Sequence, residues 1–286
     1  MENAVEVNKL IKKYKNGFQL GEINIKIEKG TIVGLIGENG AGKTTFIKSL
    51  LGIVKTDSGS IKIFDKEYKV NEKLIKEDIG VVLDNIFFPE VLNANDINSI
   101  MSVIFKKWDS KLFYQYLEKF ELEKNKPLKT LSKGMRKKLE IATAMSHHPK
   151  LLILDEPTSG LDPVVRSEIL DLFLNFIQNE EHTILLSTHI TTDLEHIADK
   201  IIFLDKGKKV LDESRDNIME DYAILKCDID YFEKIAKEDI IRYRKNKYNY
   251  EILVNRKEKM KNKYKDCVLD NITLENLMLL IIKGEK

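Results

Sequence analysis

Cysteine is scarce in this 286-residue chain: there are two, Cys227 and Cys267. They lack the close Cys/His spacing of a zinc site and are too few for a disulfide-stapled secreted domain, so a reduced, cytosolic setting is expected. Net charge is nearly missing as well. Forty-seven basic against 46 acidic side chains leave +1, which excludes a whole-molecule pull towards nucleic acid or anionic lipid. Long hydrophobic runs are also lacking. The stretch Leu277 to Ile282 is among the longest, far short of the roughly 20 residues a bilayer span needs. The opening MENAVEVNKLIKKYK has no apolar signal core, so the expectation is a chain that does not itself cross a membrane. There is no internal repeat and no low-complexity tract.

What is present is enough apolar residue, 43%, to build one large and one small core. Short apolar runs alternate with helix-like stretches, the pattern of an α/β layout with strands covered by helices. Buried strands are expected at Thr31 to Ile36, Ile79 to Leu83, Leu151 to Leu154, Thr183 to Ser187 and Lys200 to Leu204. Val5 to Leu10, Phe18 to Ile27 and Ser60 to Phe64 alternate more loosely and fit an antiparallel layer. Helical character between Leu83 and Leu151, including Ala94 to Phe105 and Ser110 to Phe120, reads as an insert. After Gly207 the pattern changes. Tyr222 to Cys227 and Ile241 to Val254 look like strands, and Asp230 to Lys237 and Leu274 to Lys283 look helical. The expected division is residues 1–215, with a helical subdomain at about 85–148, and a small α+β appendage over 216–286.

The segment Gly37-Glu38-Asn39-Gly40-Ala41-Gly42-Lys43-Thr44 follows an apolar strand and precedes a helix-forming run from Thr45 to Leu51. It satisfies the phosphate-loop pattern G-x-x-x-x-G-K-[ST] in the context that pattern needs. Glycines let backbone N–H groups turn inward around a phosphate, and the helix N-terminus adds partial positive charge. Lys43 is placed to reach the β- and γ-phosphates. A unit charge pair about 4 Å apart contributes about 4 kcal/mol at an effective dielectric of about 20. The Thr44 hydroxyl is a ligand for Mg²⁺. Further on, Leu151 to Leu154 ends in Asp155 and Glu156, as in a buried strand that delivers carboxylates at its C-terminal tip. Asp155 is a candidate to hold Mg²⁺, and Glu156 a candidate general base for the attacking water. Two acids after an apolar run could equally be a solvated strand end; the phosphate loop tips the reading.

Five motifs in order resemble the ATPase subunits of ATP-binding-cassette (ABC) transporters. Beside the two above, Leu131-Ser132-Lys133-Gly134-Met135 resembles the signature LSGGQ, Ser159-Gly160-Leu161-Asp162 is similar to the D-loop, and His189 to the switch histidine. The resemblance covers about residues 1 to 215. Ile272-Thr273-Leu274-Glu275-Asn276-Leu277 also looks like a terminal motif of the subfamily that pairs with ABC-2-type permeases. It implies the fold of a P-loop NTPase cassette: a mixed sheet, an antiparallel β layer and a helical subdomain. It implies ATP and Mg²⁺, and a dimer with a copy or a paralogue in which Ser132 and Gly134 of one subunit complete the ATP site of the other. In that dimer His189 contacts the γ-phosphate and Glu156, Asp162 links the two sites, and Tyr14 stacks on adenine. It implies an ABC-2-type membrane permease as partner, export as the direction with the cargo unspecified, and a cytoplasmic place on the inner face of the membrane. No nucleic acid partner is expected.

Three departures stand out. Asp84 occupies the position where the family usually has glutamine, leaving it shorter and charged, though still able to reach Mg²⁺ or water. Lys133 and Met135 replace a glycine and a glutamine of the signature. Phe87 and Phe88 fit either a groove that receives a permease helix or the core of the helical insert. From Arg242 to Lys265 ten basic residues interleave with tyrosines, which fits a solvated face, a lipid- or RNA-facing one, or a contact surface for the permease or a second copy. Two other function classes use similar motifs. A soluble mechanical ATPase usually carries two cassettes or a long coiled-coil insert, which are lacking here. A regulatory subunit that binds ATP without hydrolysis fits poorly with intact Lys43, Asp155, Glu156 and His189.

Overall fold

The computed structural model describes residues 2–84 and 88–285; Phe87 lies outside them. They fall in two compact units, one built from the residues up to Ile190 with Ile202–Val210, the other from Thr191–Ile201 with the residues from Leu211 onward.

In the first unit the chain runs β1 (Asn3–Lys13), β2 (Gln19–Glu28), β3 (Ile32–Ile36), α1 (Lys43–Leu50), β4 (Ser58–Ile63), β5 (Lys66–Glu67), α2 (Tyr68–Lys76), β6 (Ile79–Val82), α3 (Ala94–Ile104), α4 (Ser110–Lys119), α5 (Lys133–Met145), β7 (Leu151–Asp155), α6 (Pro163–Phe176) and β8 (Thr183–Ser187). The chain continues through α7 (Thr191–Ile197), which belongs to the second unit, to β9 (Lys200–Asp205) and β10 (Lys208–Ser214). One sheet has the order β10-β9-β3-β8-β7-β6, with β3, β8, β7 and β6 paired in parallel. Every residue of β3, β7 and β8 is buried. Parallel strands covered on both faces need near-continuous apolar sequence, which IVGLI, LLILD and TILLS provide. Because these strands point the same way, the loop after β3, the carboxylates after β7 and the residues after β8 emerge at one edge, where ligands of such sheets bind.

A second sheet, β2-β1-β4-β5, is antiparallel. On β2 the buried Leu20, Ile23, Ile25 and Ile27 are interspersed with exposed polar residues, as a sheet with one wet face requires. Val5, Val7, Ile23 and Ile25 from this sheet share a core with Leu35, Ile153 and Leu185 of the parallel sheet and Phe46 of α1. That shared core fixes the antiparallel layer against the phosphate loop.

The insert between β6 and β7 is helical, as its sequence suggests. Asn93 and Asp96 form a reciprocal capping box at the start of α3, Asp109 caps α4 and Ser132 caps α5. Helix α5 packs on β6 and α4 on α5. Phe88 is half-buried and lines an apolar groove of about 400 Å³ with Ile53, Val81, Met101, Phe105 and His147. His147 is not the plain helix end its sequence position before Pro149 suggests: it is buried, stacks on Phe105 at 4.0 Å between ring centres and donates from Nε2 to the Ile79 carbonyl at 3.0 Å.

The second unit contains α8 (Arg215–Asp221), β11 (Ala223–Asp228), β12 (Arg242–Lys245), β13 (Asn249–Val254), α9 (Lys257–Lys263), β14 (Val268–Asn271) and α10 (Leu274–Lys283). Its sheet order is β12-β13-β11-β14, and α10 packs on α7. The strand-like run from Ile241 to Val254 is two strands, turned at the polar Asn246-Lys247-Tyr248, with the Asn246 nitrogen donating to the Asn249 carbonyl at 2.8 Å. The run Asp230 to Lys237 forms short 3₁₀ turns, broken where Ile235 and Ala236 are extended.

Candidate nucleotide-binding site

The phosphate loop leaves β3 through Gly37, whose positive φ of 155° lets it pass the β9 strand: a Cβ there would stand 2.4 Å from the Leu204 carbonyl oxygen. Gly42, with φ of 112°, forms the N-cap of α1 and would push a Cβ to 2.9 Å from Leu20. Both positions need glycine for space as well as for conformation. Lys43 follows, 6% exposed. Its Nζ donates to the carbonyls of Gly37 at 2.7 Å and Glu38 at 3.4 Å and stands 3.8 Å from Glu156 Oε1. Burial pulls the Lys43 ammonium below the usual lysine range, and the Glu156 and Asp155 carboxylates partly restore it.

Parallel register places Asp155 directly beside Ser187 on β8. The Ser187 hydroxyl donates to Asp155 Oδ1, and Thr44 donates from Oγ1 to Asp155 Oδ2 at 2.9 Å. The buried carboxylate is thereby held from two sides, which a charge taken out of water requires. Glu156 has a left-handed backbone, φ 51°, a conformation that costs a non-glycine residue about 1–2 kcal/mol. The turn is pinned by its nitrogen donating to the Ser187 carbonyl at 3.0 Å. The Glu156 carboxylate then reaches His189: Oε2 lies 2.7 Å from Nδ1 and 3.4 Å from the backbone nitrogen.

A cavity of about 540 Å³ gathers Tyr14, Glu38, Asn39, Gly40, Gly42, Lys43, Thr44, Thr45, Asp84 and Glu156. Gly37 and Ala41 form the buried back of the same loop, with the Ala41 nitrogen donating to the Glu38 carbonyl at 3.0 Å. Tyr14 is 37% exposed, and its ring sits 6.1 Å from that of Phe18 with the Lys12 ammonium over it. Asp84 is exposed at the cavity mouth. Ser132 and Gly134 are on the first turn of α5, away from the described lining of this cavity; the Ser132 hydroxyl accepts from the Met135 nitrogen at 3.2 Å. Asp162 likewise serves its own helix, accepting from Val164 and Val165 at the start of α6. Sequence reasoning passed over Ser187, Asn16 and Phe18. Asn16 and Phe18 line the cavity beside Tyr14, and their nearness in sequence to Tyr14 was the available signal.

Phosphate-turn glycines, a buried lysine, a hydroxyl on a buried aspartate and a glutamate paired with a histidine form one connected set. The ABC transporter family model matches residues 20–159, which contain most of it. The bacitracin transport ATP-binding protein BcrA of Bacillus licheniformis is 36% identical over 213 residues, 73% of this chain and 69% of that protein. The chain belongs to the ATP-binding subunits of ABC transporters. The lantibiotic transport ATP-binding protein SrtF of Streptococcus pyogenes is 35% identical over 74% of this chain and 91% of that protein. Among solved structures, CbiO1 from Clostridium perfringens, part of the ABC transporter complex cbiONQ, superposes with a TM-score of 0.63 at 30% identity, covering 76% of this chain and 91% of that one. The cassette fold expected from the motifs is therefore the fold found, and this ABC subunit is an ATP hydrolase. Among the described residues no helix is long and apolar enough to cross a membrane.

Proposed function

We propose that this subunit drives an ABC-2-type permease, in the direction of export, from the inner face of the cell membrane, by closing on ATP with a second cassette that is either its own copy or a paralogue. The observation that carries the reading is the half-built site. The cavity of one chain joins Tyr14, the phosphate loop, Asp84 and Glu156, while Ser132 and Gly134 lie off it on the α5 N-terminus. A helix N-terminus favours an anion, so a second chain bringing Ser132 and Gly134 to the γ-phosphate completes the site. Export is supported by BcrA and SrtF, named for bacitracin and lantibiotic transport, and the permease class by the terminal run Ile272 to Leu277. The apolar groove beside Phe88 is a fitting seat for a permease helix. The cassette is read as residues 1–215 and the appendage as 216–286.

The chemistry follows from the residues. Lys43 binds the β- and γ-phosphates, which take over the hydrogen bonds its ammonium now gives to Gly37 and Glu38. Tyr14 stacks on the base. Asp155, buried and bonded to the Thr44 hydroxyl, offers the hard oxygen donors that suit Mg²⁺ with phosphate and water completing its shell, and Asp84 adds a carboxylate at the mouth. Bound there, Mg²⁺ would neutralise charge on the phosphate oxygens. Glu156 accepts the proton of a water as its oxygen bonds to the γ-phosphorus and ADP leaves. His189 holds the Glu156 carboxylate and contacts the γ-phosphate. Affinity purification of the tagged chain from its native membranes tests the partner. A complex whose ATPase rate rises in lipid supports it; a monodisperse soluble ATPase that never co-purifies with a polytopic protein refutes it.

A further inference from the structure

We propose that Lys137 is a positioning residue for ATP hydrolysis: its ammonium fixes the end of β6 and thereby sets the Asp84 carboxylate at the mouth of the nucleotide cavity. The inference rests on the nucleotide reading above.

Lys137 belongs to a run of three cations, Arg136-Lys137-Lys138, and it is the one that is buried, 6% exposed, while Arg136 and Lys138 are partly exposed. Its Nζ lies 2.8 Å from Glu140 Oε2, one helical turn along α5, and 3.3 Å from the Leu83 carbonyl, to which it donates. Leu83 directly follows β6, and Asp84 comes next. Burial pushes the Glu140 carboxyl up, the Lys137 ammonium draws it back, and the Asp84 charge raises it. Both Glu140 oxygens are buried without an aligned hydrogen bond, so the Lys137 charge at ion-pair distance is what compensates that carboxylate. A buried lysine is rare unless paired, and an apolar residue of the same length would pack more cheaply there. What the charge adds is a tether from α5 to the main chain at Leu83.

The tether matters because of where Leu83 leads. A second cavity, about 320 Å³, is lined by Lys133, Arg136, Lys137, Glu140, Ser159, Asp84 and Glu156. The last two also line the nucleotide cavity. Asp84 is one methylene shorter than the glutamine the family usually has there, so its reach depends on where the backbone stands. A main chain held at the carbonyl one residue earlier sets that position.

The test is a double-mutant cycle on the full chain, with steady-state kcat and KM for ATP measured for wild type, Lys137→Met, Asp84→Ala and the double variant. Lys137→Met is expected to lower kcat about fivefold or more with KM changed less than twofold, Lys137→Arg to recover most of the loss, and Lys137→Met to cost nothing further on the Asp84→Ala background. A kcat unchanged by Lys137→Met, or losses that multiply in the double variant, overturns the proposal, since a purely structural lysine acts independently of Asp84. If Lys137→Met does not fold, Lys137→Gln carries the same cycle. Binding of labelled ATP to the wild type separates the two levels: no binding sinks the nucleotide reading itself, whereas binding and turnover with additive losses sink only the role of Lys137.

Discussion

His189 Nδ1 lies 2.7 Å from Glu156 Oε2, and the same carboxylate oxygen faces the His189 backbone nitrogen at 3.4 Å. The glutamate sits on a left-handed turn at the tip of β7, so its direction is set by backbone geometry and then by this side chain and the Lys43 ammonium, 3.8 Å from its other oxygen. His189 itself is half-exposed. Its replacement therefore removes orientation without opening a core. His189→Ala is expected to keep ATP binding and to lower kcat by about tenfold to a hundredfold, less than loss of the base itself, whose share is about 10²–10⁴. Phosphate release against ATP concentration reads both quantities.

Lys43 is a buried cation held by two main-chain carbonyls and the nearby Glu156 carboxylate. Its folded pKa lies below 10.5 because burial disfavours the charge. In the window just below 10.5 the unfolded chain therefore holds a proton that the folded chain has released, and stability of the nucleotide-free protein rises with pH across it. Lys43→Met is expected to remove that slope, to leave the nucleotide-free Tm equal or higher, and to abolish the rise in Tm that ATP gives the wild type. Thermal unfolding with and without ATP, at several pH values, checks all three.

Ser187→Ala leaves Asp155 Oδ1 without the hydroxyl that now donates to it. A buried charged acceptor deprived of one donor costs about 1–3 kcal/mol. Urea unfolding is expected to show a loss of this size, with a fall in ATPase rate; Ser187→Thr, which keeps the hydroxyl, is expected to recover most of it.

His147 gives a pH effect of known sign. Burial holds its ring below 6.5, against the Ile79 carbonyl that raises it. As pH falls through 6.5 the unfolded chain takes up the proton first, so this contribution is complete above 6.5 and is lost on acidification. His147→Phe keeps the stack on Phe105 and is expected to flatten the dependence of urea stability on pH below 6.5, at the expense of the hydrogen bond to Ile79.

The placement of the Gly37–Thr44 turn and of Asp155 and Glu156 at the ends of β3 and β7 could be read from sequence because the apolar strands that carry them are plain. Tyr14 and Asp84 came from motif order, and the structure puts them on the same cavity as Lys43. Ser187 was hidden for a plain reason: a serine ending TILLS looks like a strand stop, and its contact with Asp155 exists only through the β7–β8 register. Lys137 was hidden among neighbouring cations that suggest a solvated helix face, while its burial is decided by β6 packing on α5. In the fold, long uninterrupted strands such as β3, β7 and β8 were plain, whereas β14 and α9, short and half-exposed, carry too little apolar pattern to be seen. Helix α2 buries only Tyr68 and Ile75, which leaves almost no stripe to recognise.

The central claim is that ATP on the Gly37–Thr44 turn is cut by a water that Glu156 deprotonates, once a second cassette closes over it. Size-exclusion chromatography of Glu156→Gln in ATP and Mg²⁺, paired with its phosphate release, tests this most directly. The account predicts an ATP-bound dimer with turnover reduced about a hundredfold or more; a monomer that hydrolyses ATP at the wild-type rate contradicts it.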